Sequence, residues 1–386
     1  MFPYLLVLVV GSLYFFLGKN LAQNKKLLLF FFLYVSLFIG LGDMIGGYDR
    51  YIYGEIFDSI ADWVRGRNRF IDFTYLIQGN EYGYFVWQLL VSMITPNRYM
   101  FILFTTFLIY ALLYRTFSNY IVDYPFATII FLGLFYYFTM TYLRQVIAAA
   151  IIWQGLRYVW ERRPFMFSLF VLLAFSFHNS ALIFAPVYFV PLRKFSKTVV
   201  LLTLISCLII AMTPLPNMLL SLSGETANMS ERTAAYVNDS QGFRIEYLLE
   251  VIFFMWIYLS NYNRIDGTKN IVFLNVSILF CCILLIFMRF TQGGRLAWYF
   301  FVGPIYLLPY LSSKKDAKWV KYITYCVCFF LFLRVSYAWE MLNVPYKTIF
   351  TNGEPAGSKL IYEHYEYNTQ YASDKFIRPA FDIFWL

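Results

Sequence analysis

Residues 271–287 read IVFLNVSILFCCILLIF, with no charge anywhere in the run. An apolar stretch of about 17–25 residues can cross the hydrocarbon core as a helix, because a helix satisfies its own backbone hydrogen bonds. The stretches 27–38 and 322–333 have the same character. None shows the polar–apolar alternation over about ten residues that a membrane β-barrel strand requires.

Composition extends this reading to the whole chain. Of its 386 residues, 60% are hydrophobic, 22% are aromatic and only 14% are charged. Soluble domains average about 25% charged residues. Mean hydropathy is +0.59. The net charge of +9 is not read as a nucleic-acid signal, because cytoplasmic loops of membrane proteins collect Lys and Arg. Cys207, Cys281, Cys282, Cys326 and Cys328 all lie in apolar runs without metal-ligand spacing and are read as packing thiols. Residues 2–17 lack a basic start and a small-residue cleavage pattern, and are read as a first span.

Candidate spans are 2–17, 27–45, 99–117, 126–143, 145–160, 165–178, 180–192, 196–213, 246–262, 270–288, 296–311 and 319–338. Alternate loops then carry the basic residues: Lys19, Lys25 and Lys26; Arg115; Arg162 and Arg163; Arg193, Lys194 and Lys197; Arg264 and Lys269; Lys314, Lys315 and Lys318. These loops are assigned to the cytoplasm, which puts both termini outside. The acids Asp49, Glu55, Asp58, Asp62 and Asp72 fall on the outer side. The apolar stretch 84–94 is too short to span and is read as an interfacial or re-entrant helix. The prediction is an all-α, polytopic transmembrane helical bundle of about twelve helices. Its membrane domain covers residues 1–338 with outer loops at 46–98 and 214–245, and an outer tail covers 339–386. Pro214, Pro216 and Gly224 are expected to interrupt helix in the second loop.

A charge within or beside a span costs upwards of about 2.5–3.5 kcal/mol and calls for a reason. Arg144 lies where two spans meet outside; it is either a snorkelling side chain or an anion ligand, since guanidinium binds phosphate through a planar fork of donors. His178 ends a span on the same side. Its imidazole is a structural side chain or a base that titrates near neutral pH. Arg289 and Arg295 bracket an outer turn containing Gly293 and Gly294, and two cations at one surface suit a diphosphate. Arg244 is a further cation at a span end. The acids at 49–62 have the spacing of a solvated helix face, with metal or sugar binding as the alternatives.

These residues occur in an order that resembles a known family. Asp49-Arg50-Tyr51 is followed by Glu81-Tyr82-Gly83-Tyr84, then Leu143-Arg144-Gln145 with Ala148, then Phe177-His178-Asn179-Ser180-Ala181-Leu182-Ile183 with Pro186, then Arg289 and Arg295. The pattern resembles the EpsG family of bacterial exopolysaccharide and O-antigen (Wzy-type) polymerases. The resemblance implies a GT-C-like glycosyltransferase of the inner membrane, working at the periplasmic face on undecaprenyl-diphosphate-linked oligosaccharides. It implies that Arg144, Arg289, Arg295 and Arg244 hold diphosphate, that His178 activates the acceptor hydroxyl, and that Asp49, Arg50, Glu81, Gln145 and Asn179 contact sugar. No metal or cofactor is implied, and a chain-length regulator is a candidate partner. Four alternatives stay open: a metal-dependent GT-C enzyme using Asp49 and Asp58, a membrane O-acyltransferase, a flippase or transporter for the same lipid-linked sugar, and a purely structural membrane subunit.

Overall fold

The computed structural model describes residues 2–17, 21–44, 48–67, 77, 81–226, 242–290, 292–351, 355, 357, 361–368 and 374–383. Asp72 of the outer acids lies outside them. The regular secondary structure of the described residues is helical, apart from an isolated bridge between Gly42 and Thr348. Several helices start on side chains suited to the task. Asn24, Asn97, Asp123 and Ser196 each turn an oxygen onto backbone N–H groups of the first turn that follows.

Three helices are by themselves long and apolar enough to cross a membrane: Arg98–Tyr120, Thr268–Ile286 and Lys315–Ala338. A fourth crossing is available if Lys197–Ala211 and Leu215–Ser221, bent by 75°, count as one broken span. Phe2–Leu17, Tyr124–Leu134, Pro164–Phe177 and Asn179–Phe189 are apolar but shorter. The chain is thus a helical, multi-pass membrane protein by the composition and length of these helices. Two local expectations fail. Neither Pro216 nor Gly224 prevents helix Leu215–Thr226: Pro216 sits in the first turn, where its missing N–H has no intrahelical partner to lose, and a single glycine near a helix end costs only about 1 kcal/mol. Residues 179–189, expected as an α-helical span, wind as a 3₁₀ helix containing Pro186.

The chain divides into two compact units, residues 1–147 with 322–386, and residues 148–321. In the first, helix Lys25–Gly40 packs along Arg98–Tyr120, and Phe32 meets the rings of Tyr110, Phe117 and Phe131 at 5.7, 5.1 and 5.8 Å. Helices approach closely at Gly133, where an added Cβ would lie 2.5 Å from Cys328 Cβ and 2.6 Å from its Cα. In the second unit, Thr268–Ile286 packs against Val302–Ser312, Lys197–Ala211 and Ile245–Ser260. Leu202, Ile209 and Leu249 stand about 60% exposed, as side chains facing lipid would.

The acidic helix Tyr48–Val64 is not solvated as its spacing suggested. Asp58 is only 4% exposed, and the fully buried Arg98 pairs with it, with Glu55 at 2.8 Å and with Glu366 at 3.1 Å. The tail supplies further cations. Arg378 pairs with Asp58 at 3.5 Å, and with Asp62 and Asp374 at 3.0 Å, while Lys375 approaches Glu55 at 3.6 Å. Arg65 in turn holds Asp382 at 2.9 Å, and Asn97 donates to the Arg378 carbonyl at 2.8 Å. The tail is therefore clasped onto this helix by alternating charges, buried at Asp58, Arg98, Glu366, Lys375 and Arg378 and reaching water at Asp374 and Asp382.

Burial pushes the Asp58 carboxyl up to about 6 from 3.8, against the pull of Arg98 and Arg378, and pushes Glu366 in the same direction. A native value above the unfolded one means that the folded state binds the proton first. Asp58 then favours folding most below about pH 4, and this contribution is lost as pH rises through about 6. The unfolding temperature of the wild type minus that of Asp58→Asn should therefore fall between about pH 4.5 and about pH 7.5, measured in detergent. Parallel profiles would contradict the assignment.

Candidate functional site

In the first unit the site is built around Arg144, in the first turn of helix Leu143–Gly155. One guanidinium nitrogen donates to Glu81, which precedes helix Tyr82–Ser92 and is 1% exposed. Nε donates to the Tyr53 hydroxyl at 3.3 Å, and that hydroxyl donates to Asp49 at 3.4 Å. The guanidinium carbon also lies 5.1 Å from the Tyr53 ring centre and 6.0 Å from that of Tyr84. Burial pushes both phenols upward, so they stay neutral and can only share protons through hydrogen bonds. Two of the five N–H donors of Arg144 are used in these bonds, which leaves others for an anionic ligand.

The structure thus joins Arg144, Glu81 and Asp49, and adds Tyr53 and Tyr84. Gln145 is buried beside them in sequence. Arg50 points elsewhere. It is 1% exposed and donates to the carbonyls of Ile39 at 3.0 Å and Gly42 at 3.1 Å, closing the C-terminal end of helix Lys25–Gly40.

In the second unit His178 ends helix Pro164–Phe177 in extended conformation, with its N–H on the Ala174 carbonyl at 2.9 Å. It is half-buried, and Asn179 behind it is buried. Ser180 shares a 2.8 Å hydrogen bond with the Tyr299 hydroxyl. Tyr299 lies in the turn Trp298–Phe300, directly after Gly294–Ala297, which carries Arg295. The Trp153 indole fixes the same turn by donating to the Tyr299 carbonyl at 2.9 Å. The half-buried Arg295 lies 5.8 Å from the Trp298 ring centre.

The remaining cations gather on the other side of that turn. The Arg244 N–H donates to the Met288 carbonyl at 3.1 Å, which sets Arg244 next to the exposed Arg289. Arg289 lies 6.0 Å from the Phe243 ring centre. Gly294 is demanded by close packing, since a Cβ there would come 2.5 Å from the Tyr247 hydroxyl. The Met288 carbonyl thus anchors Arg244 beside Arg289, and the Tyr299 hydroxyl, four residues after Arg295, anchors the segment that carries His178.

The family model of the EpsG family matches residues 27–348. The chain belongs to the EpsG family. Every candidate named above falls inside the matched stretch, and the clasping residues Glu366, Lys375 and Arg378 fall beyond it. Neither the curated proteins nor the solved structures contain a match to the chain. Membership places this EpsG protein in exopolysaccharide biosynthesis.

Sequence reasoning missed Tyr53, which carries no signal among 34 tyrosines, and it quoted Tyr84 in a motif without giving it a role.

The Glu81–Arg144 pair has a measurable consequence. Removing one partner of a buried pair costs about 3–5 kcal/mol, because the other charge is left uncompensated. Glu81→Gln should lose about that much in thermal or denaturant unfolding, and Glu81→Gln with Arg144→Gln should lose less than the sum of the single changes. Additive losses would mean that the two side chains do not sense each other.

Proposed function

We propose that this EpsG protein is a Wzy-type polysaccharide polymerase. It joins undecaprenyl-diphosphate-linked oligosaccharide repeat units at the periplasmic face of the bacterial inner membrane. The observation that carries this reading is the pair of hydrogen bonds, from the Arg244 N–H to the Met288 carbonyl and between Ser180 and the Tyr299 hydroxyl, that set Arg244 beside Arg289 and the His178 segment beside the one carrying Arg295. A diphosphate leaving group gathers negative charge in the transition state, and preorganised guanidinium groups stabilise that charge best where water is scarce.

In the proposed reaction His178 takes the proton of an acceptor sugar hydroxyl. The oxygen attacks the anomeric carbon of the donor, and the bond from that carbon to the diphosphate oxygen breaks. Undecaprenyl diphosphate leaves with the electron pair. A single displacement of this kind inverts the anomeric centre. Arginines supply the positive charge that the leaving group needs, so the reaction requires no metal. Both substrates of a polymerase carry a diphosphate, so two cationic sites are expected of it. Arg144 in one unit and Arg244, Arg289 and Arg295 in the other supply them. Asp49, Glu81, Gln145 and Asn179 are the polar groups assigned to sugar or to holding the arginines. Arg50 is reserved for the fold.

The reading carries a topology with it: a GT-C-like bundle of about twelve crossings, the shorter apolar helices tilting or thinning the bilayer, and Tyr82–Ser92 lying re-entrant or interfacial. A chain-length regulator would be its natural protein partner.

Purified protein in liposomes, given a lipid-diphosphate-linked repeat unit, should produce a ladder of longer chains. His178→Ala should slow it by about 10²–10⁴-fold, as loss of a general base does. Arg144→Ala should abolish the ladder, and EDTA should leave it unchanged. A single EDTA-sensitive transfer would move the assignment to a metal-dependent GT-C enzyme. Translocation of intact lipid without a covalent product would make it a flippase.

A further inference from the structure

Helix Ile245–Ser260 carries a carboxylate that the scheme above leaves unused. Glu250 falls on the face that also holds Phe254 and Ile257, which are 1% and 0% exposed, whereas Leu249 and Ile252 on the opposite face are 60% and 55% exposed. It thus faces into the second unit and away from the lipid-facing side. It is half-buried rather than sealed, and Tyr247, Tyr258 and Cys281 lie close enough to feel its charge. The side chain is thus crowded by these groups and still reached by solvent.

Glu250 makes no ion pair and no hydrogen bond with any described residue. This sets it apart from the acids of the first unit. Asp58, Glu81 and Glu366 are more deeply buried, and each has an arginine against it. A half-buried carboxylate without a hydrogen-bond donor is costly, and the packing of this helix gives it no structural work.

Its surroundings define what could satisfy it. Arg244 stands six residues earlier, about 9 Å along the helix axis. Tyr247 lies between them with its hydroxyl against Gly294, in the turn that carries Arg289 and Arg295. A free cation would be repelled by the arginines, and a purely anionic ligand by Glu250. A ligand with an anionic end and, about 9 Å further on, a neutral donor satisfies both. A diphosphate with a sugar attached has that form.

We propose that Glu250 accepts hydrogen bonds from hydroxyls of the sugar attached directly to the diphosphate, and so determines which first sugar the second unit binds. This rests on the polymerase reading for its substrate class but is tested by binding alone. The probes are undecaprenyl diphosphate and the same lipid bearing one glucose, galactose or N-acetylglucosamine, titrated into the purified full chain in detergent.

A hydrogen bond to a charged group is worth about tenfold or more in affinity, so at least one glycosylated lipid should bind wild type that much more tightly than the bare diphosphate. Glu250→Ala should erase this preference while leaving the affinity for bare undecaprenyl diphosphate within about twofold; Glu250→Gln, which keeps an acceptor oxygen, should retain part of it. The glutamine variant also provides the test if the alanine variant does not fold. No preference in wild type, a preference that survives in both variants, or equal weakening of all four lipids would overturn the proposal. A preference that depends on Glu250 in a protein making no polymer would leave this site standing and remove the polymerase reading.

Discussion

Arg98 exposes none of its surface, and only the carboxylates of Glu55, Asp58 and Glu366 make that tolerable. Removing an unpaired charge from water costs far more than a fold with a margin of about 5–15 kcal/mol can lose. The whole chain can be read through this constraint. Where a cation and an acid meet in the interior, they hold elements together, as the tail is held to helix Tyr48–Val64. Where a charge is kept without a full set of partners, it is available for a ligand.

Arg144 lies between these cases. Glu81 and Tyr53 fix its guanidinium in place, and Asp49 fixes Tyr53, so the donor fork is preorganised before any anion arrives. In the second unit Arg289 and Arg295 rest against aromatic rings, and Arg244 is held by the Met288 carbonyl. Both arrangements suit the proposed chemistry, in which the protein has little covalent work to do and must neutralise a departing diphosphate. Family membership reaches residue 348, so the ionic clasp of the tail is built from residues beyond the matched stretch onto a helix within it.

Much of this was legible in the sequence, and the failures have physical causes. Long uncharged runs such as 271–287 can only be membrane helices, and the arginines and histidine at their ends were visible as costly charges. The acids at 49–62 misled because a 3–4-residue spacing is the same whether a helix face meets water or meets another segment. The partner of Arg98, Glu366, is 268 positions away, and no local pattern carries that information. Pro216 was read as a helix breaker when it is a helix starter, a distinction set by position within the turn. Glu250 stood in plain view in an apolar run and needed only the rule already applied to Arg144.

The central claim is that arginines in this protein recognise a lipid diphosphate. Thermal unfolding of the purified chain, followed with undecaprenyl diphosphate, undecaprenyl monophosphate or undecaprenol added at equal concentration, tests it most directly. The account predicts the largest stabilisation with the diphosphate, about 2.7 kcal/mol at a hundredfold excess over Kd, little or none with the alcohol, and loss of most of the shift in Arg289→Gln with Arg295→Gln. Equal shifts with all three lipids, or an unchanged shift in the arginine variant, would contradict it.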